Sequence, residues 1–66
     1  MYGKQKINFT HIFYYLDGQG KIVKSCRATE KETIESAIPY AKEFNDIRTV
    51  ELRELKTNQL EGFYAK

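Results

Sequence analysis

Residues 7–16 read Ile-Asn-Phe-Thr-His-Ile-Phe-Tyr-Tyr-Leu, a run of β-branched and aromatic positions that packs well on a pleated sheet and predicts a first strand. Asp17-Gly18-Gln19-Gly20 then places two glycines, Gly18 and Gly20, where a hairpin turn needs positive φ, and residues 21–28 resume an extended pattern. The first two strands are therefore expected to pair antiparallel. Thr29-Glu30-Lys31-Glu32 has the form of a capping box: the Thr29 hydroxyl accepts from the Glu32 amide, and the Glu32 carboxylate reaches back to the Thr29 amide. A helix is expected to start there. Ile34, Ala37, Ile38, Ala41 and Phe44 follow at three-and-four spacing and form one apolar face, with Glu32, Glu35, Lys42 and Glu43 mostly outside it. Pro39 cannot donate to the Glu35 carbonyl and disfavours α geometry at Ile38, which predicts a kink or a break. After Asn45-Asp46, residues 49–55 alternate polar and apolar like a strand with one buried face, with Val50 and Leu52 pointing inward. Lys56-Thr57-Asn58-Gln59 reads as a turn. Residues 60–64 return as a short fourth strand, weakened by Gly62.

These elements define an α+β fold of order β-β-α-β with a final β: an antiparallel sheet of three or four strands with one kinked helix on one face. No repeat, low-complexity tract or linker divides the chain, so residues 1–66 are read as a single domain. The first strand says more than fold. Ile7, Phe9, His11, Phe13 and Tyr15 line one side of it, and Thr10, Ile12, Tyr14 and Leu16 the other, so both sides are largely apolar or aromatic. One helix covers one side, and the second implies another covering surface, either a twin subunit or a partner.

Size sharpens that expectation. A chain of 66 residues buries only about 60 % of its unfolded surface, and domains this small gain support from disulfides, a metal or self-association. The single cysteine, Cys26, excludes an internal disulfide, and the single histidine, His11, leaves no Cys/His cluster for structural zinc. Oligomerisation remains, most simply as a two-fold homodimer. A lone thiol fits a reducing compartment, and neither a signal peptide nor a membrane-spanning stretch is seen, so a cytoplasmic location without membrane association is expected. The net charge of +2 favours neither a nucleic-acid-coating protein nor an overall DNA mimic.

Catalysis finds little support. His11 has no neighbouring Ser or Cys in a nucleophile motif and reads as a half-buried strand residue, while Cys26 reads as a small core residue. No cofactor or metal is expected. Asp17-Gly18-Gln19-Gly20-Lys21 joins two strands instead of a strand and a helix, so it is a hairpin turn and no phosphate loop. Two partner classes stay open. Lys4, Lys6, Lys21, Lys24, Arg27, Arg48 and Arg53 with Tyr14 and Tyr15 would suit single-stranded nucleic acid, which binds to a basic groove with stacking rings. Alternatively, aromatic residues ringed by charge, with Glu32, Glu35, Glu43, Glu51 and Glu54 locally acidic, would suit a non-catalytic protein-binding module whose partner is a host protein.

The span from Phe9 to Leu55 also resembles a family of very small phage proteins that inhibit uracil-DNA glycosylase. The likeness lies in the aromatic strand, the Asp17 to Lys21 turn, the second strand, a short helix with Ile34-Glu35 and a nearby Tyr40, and the strand Val50-Glu51-Leu52-Arg53-Glu54-Leu55. The resemblance implies ββαβ protomers that dimerise and offer an enzyme's DNA-binding face an apolar pocket ringed by acidic groups. Glu35 and Tyr40 would be contact residues, beside Tyr14 on the exposed strand face.

Overall fold

The computed structural model describes residues 7–66, and its first hairpin is organised by Asp17. The Asp17 Oδ1 atom accepts from the backbone N–H groups of Gln19 and Lys21, each at 2.9 Å, while the Asp17 amide donates to the Lys21 carbonyl. Of the two turn glycines only Gly20 takes positive φ, at 81°, the left-handed region that glycine enters without steric cost; Gly18 does not, since the Asp17 carboxylate already closes the turn. This turn joins β1 (His11–Leu16) to β2 (Ile22–Ala28), which pair antiparallel as expected. The first strand is shorter than its apolar run, although Thr10 still donates to the Ala28 carbonyl at 3.0 Å.

The capping-box residues behave differently from the expectation. The Glu32 carboxylate does accept from the Thr29 amide at 3.2 Å, but the Thr29 hydroxyl turns to that same carboxylate and caps no backbone donor. The four residues close a turn, and helical geometry begins only with a 3-10 segment at Ile34–Ala37, which passes directly into α1 (Ile38–Glu43). Pro39 lies in the first turn of α1, where its missing N–H costs no helical bond. The expected kink thus takes the form of a change from 3-10 to α geometry.

The last two strands, β3 (Thr49–Glu54) and β4 (Leu60–Ala65), complete a four-stranded antiparallel sheet in the order β2-β1-β3-β4. Because β2 and β3 both run antiparallel to β1, they are parallel to each other with β1 between them. Such a pair needs a crossover of a dozen or more residues. Residues 29–48 provide it and lay the helical stretch across one face.

That covered face holds the core. Phe13, Tyr15, Ala28, Val50 and Leu52 from the sheet meet Ala37, Ala41 and Ile47, with Ile34, Tyr40 and Tyr64 packed at the margin. Val50 and Leu52 point inward as their alternation predicts. Ala37 and Ala41 are small enough to let the helical layer approach the sheet. Gly62 serves the same end: a Cβ atom there would stand 3.1 Å from the Ile34 Cβ.

Two sequence expectations are corrected. Phe44 follows the helical spacing, yet it sits at the C-cap and stays 42 % exposed, its ring tilted at 45° against Tyr40 with centroids 4.7 Å apart. Cys26 is exposed and outside the core, because β2 is an edge strand and the core reaches only its Ala28 end. Among the described residues, no helix is long and apolar enough to cross a membrane.

Candidate functional site: the open face of the sheet

Along β1, Phe13 and Tyr15 are buried under the helical layer, so the alternating residues Ile12, Tyr14 and Leu16 face the other way. Strand register extends this second face into rows. The central row runs Ser25, Tyr14, Glu51, Phe63 across β2, β1, β3 and β4, and the next runs Arg27, Ile12, Arg53, Leu60. Among the described residues, no element covers these rows. Phe63 is 54 % exposed and Leu60 45 %, while Tyr14 is half-buried by its strand neighbours.

The charges on this face have distinct roles. The Arg53 Nε donates to Glu51 Oε1 at 2.7 Å, and its Nη1 donates to the Asn58 carbonyl at 2.8 Å. Arg53 thereby ties β3 to the following turn, in which Asn58 adopts φ 61°. Arg27 is exposed and has no ion-pair partner among the described residues. Among the described residues, the open face therefore presents the unpaired guanidinium of Arg27, the carboxylate of Glu51 already paired, and an apolar and aromatic centre.

The three residues singled out from the sequence do not share a surface. Tyr14 lies on the open face. Tyr40 lies on the helical side, with its ring edge-on to Tyr15 at 5.0 Å and Lys24 Nζ 5.4 Å from its centroid. Glu35 is exposed in the first turn of the 3-10 segment. The acidic set divides likewise: Glu51 is on the open face, while Glu32 and Glu35 belong to the crossover and Glu54 accepts from the Thr57 hydroxyl at 2.7 Å.

The basic set also separates. Tyr15, expected to stack beside Tyr14, is buried; burial first, then Cys26, Tyr40 and Glu32, pushes its phenol pKa up. Lys24 points to the helical side, and Lys4 and Lys6 lie outside the described residues.

Leu60 and Phe63 escaped sequence reading for a definite reason. They have opposite parity and would fall on opposite faces of a regular strand. A bulge places Glu61 as an extra residue between the pairs Arg53–Leu60 and Leu52–Gly62, which turns Leu60 and Phe63 to the same side.

A concavity of about 350 Å³ lies on the helical side, where His11, Glu30, Glu32 and Glu61 surround Ile34 and Gly62. His11 Nδ1 is 2.7 Å from the Thr10 hydroxyl. Among the described residues, no group of three or more His, Cys, Asp or Glu side chains is placed to hold a metal ion.

Comparison with known protein families, with curated proteins and with solved structures finds no match to this chain.

Proposed function

We propose that this chain is a non-catalytic protein-binding module that presents the open face of its sheet to a partner protein. The observation that carries this reading is the uncovered row Tyr14, Glu51, Phe63 between Ile12, Leu16 and Leu60. A sheet covered on one side ordinarily turns a polar second face to water. Here that face has an aromatic and aliphatic centre with Arg27 at its edge, the composition of an interface core and rim.

Single-stranded nucleic acid is the less favoured occupant. A stacking platform keeps its rings in a field that attracts phosphate, whereas Glu51 stands between Tyr14 and Phe63 in register. A protein patch of apolar side chains with a carboxylate for Arg27 fits the face better. A separate reading within the protein-binding class, suggested by the sequence resemblance, makes the partner a host DNA-processing enzyme such as uracil-DNA glycosylase. It rests on Glu35 and Tyr40, and would engage the helical side instead.

The test is capture from bacterial lysate, with and without nuclease, by the natural chain and by a Tyr14→Ser/Arg27→Glu variant. One protein retained in stoichiometric amount after nuclease and lost with the variant is the expected result. Capture that the variant leaves unchanged refutes the open-face reading. Capture that vanishes with nuclease and falls steeply with salt assigns the face to nucleic acid. In parallel, glycosylase activity left untouched by a stoichiometric excess of the natural chain eliminates that separate reading. Inhibition that is lost in Glu35→Ala/Tyr40→Ala supports it.

A further inference from the structure

We infer that β4 is the seat of a two-fold antiparallel pairing between two copies of this chain, which joins their sheets into one of eight strands. Among the described residues, the sheet has two free edges, β2 and β4. Pairing β2 with its own copy would bring Lys24 and Arg27 toward their equivalents, and long cationic side chains are a usual guard on an edge strand. Beyond the bulge at Glu61, β4 carries Gly62, Phe63, Tyr64 and Ala65, with no charge and no proline. That end of the edge lacks the cations that guard β2, and the bulge and Glu61 lie outside it.

The hydrogen-bond phase of β4 shows which groups are free. The Lys66 amide donates to the Arg48 carbonyl at 3.0 Å, so by alternation Tyr64 and Gly62 bond to β3. Phe63 and Ala65 then direct their N–H and C=O groups away from the sheet. A two-fold through Tyr64 sets Phe63 of each copy opposite Ala65 of the other, a large side chain beside a small one, and satisfies the four outward groups of Phe63 and Ala65 in each copy without involving the bulge.

The second copy also supplies what the open face lacks. Four strands about 4.8 Å apart and six residues long give a face of about 400 Å², against roughly 800 Å² per partner in interfaces of standard size. A two-fold perpendicular to the sheet keeps both helical layers on one side and both open faces on the other. The platform doubles, and Phe63 and Leu60 of both copies move from its margin to its middle. The inference extends the open-face reading, but its test measures mass and amide protection, not partner capture, so either one fails alone.

Sedimentation velocity and light scattering from micromolar to near-millimolar concentration are expected to give twice the 7.8 kDa chain mass. Ala65→Pro deletes one outward N–H and leaves every bond to β3, so it should halve the mass while circular dichroism stays native. Ser25→Pro, the equivalent change on the β2 edge, should remain dimeric. Hydrogen exchange in the natural chain gives an independent reading: the Phe63 and Ala65 amides are expected to be protected, and the Ser25 amide to exchange freely. A chain that stays monomeric throughout, an Ala65→Pro variant that still dimerises, or Phe63 and Ala65 amides as unprotected as that of Ser25 would each overturn the pairing.

Discussion

Replacing Gly62 by alanine should destabilise the fold even though alanine suits a strand better than glycine. The added Cβ would sit 3.1 Å from the Ile34 Cβ and 3.6 Å from the Leu52 Cβ. Neither neighbour can swing aside by rotating a side-chain bond, because a Cβ atom moves only with its backbone. Relief requires the 3-10 segment at Ile34–Ala37 to lift off the sheet, which loosens Ala37 and Ala41 behind it. Overpacking of this kind costs about 1–3 kcal/mol. Against that, alanine lowers the entropy of the unfolded chain and returns about 0.4–1 kcal/mol. The net expectation is a loss of about 1 kcal/mol, equivalent to a melting temperature lower by roughly 4–8 °C for a domain of this size. Thermal melts followed by circular dichroism, with urea titrations for the slope, measure it directly. A variant that melts at or above the natural temperature would show that the helical layer is not held against the sheet at Gly62.

Asp17 predicts a pH effect. The Lys21 amide, and then the Gln19 amide, hold its carboxyl below the usual carboxylate range, and these bonds do not exist in the unfolded chain. The stability they contribute is complete above the ordinary carboxylate pKa and disappears as pH falls through the lowered folded value. Asp17→Asn should therefore flatten the acid side of a stability-against-pH curve, and parallel curves for the two proteins would exclude the effect. Cys26, exposed on the edge strand, should react with a thiol reagent in native buffer nearly as fast as in denaturant; reaction only on unfolding would place it inside.

Much of the architecture was legible because local chemistry and tertiary outcome agree. Asp17 and Gly20 dictate a hairpin with no help from the rest of the chain. The alternation at Val50 and Leu52 survives because β3 is a central strand with one face on the core. The two-sided β1 signalled that a single helical layer would cover only one of its sides, and among the described residues that side is the one opposite Tyr14. Elsewhere, features that depend on distant contacts were hidden. Nothing near Thr29 reveals that its hydroxyl will turn to the Glu32 carboxylate and delay the helix to Ile34. Cys26 reads as a core residue until the strand order makes β2 an edge. Leu60 and Phe63 required the bulge at Glu61, whose position is set by pairing with β3. Tyr40 could be named from the sequence, but the chain alone does not place it on the side opposite Tyr14.

The insertion of β1 between β2 and β3 has a kinetic consequence. Each hairpin, β1 with β2 and β3 with β4, closes over a short loop and can form within about 1–10 μs. The seam between β1 and β3 is another matter, since it joins Leu16 to Thr49 across the whole crossover. Loop-closure entropy must be met there before the seam is rewarded by contacts. The rate-limiting event should then be the docking of two preformed hairpins, with Phe13, Tyr15, Val50 and Leu52 meeting while the Asp17 turn is already made. Substitutions in that turn would slow folding, whereas changes in the late-packing Tyr40 and Phe44 would mainly hasten unfolding.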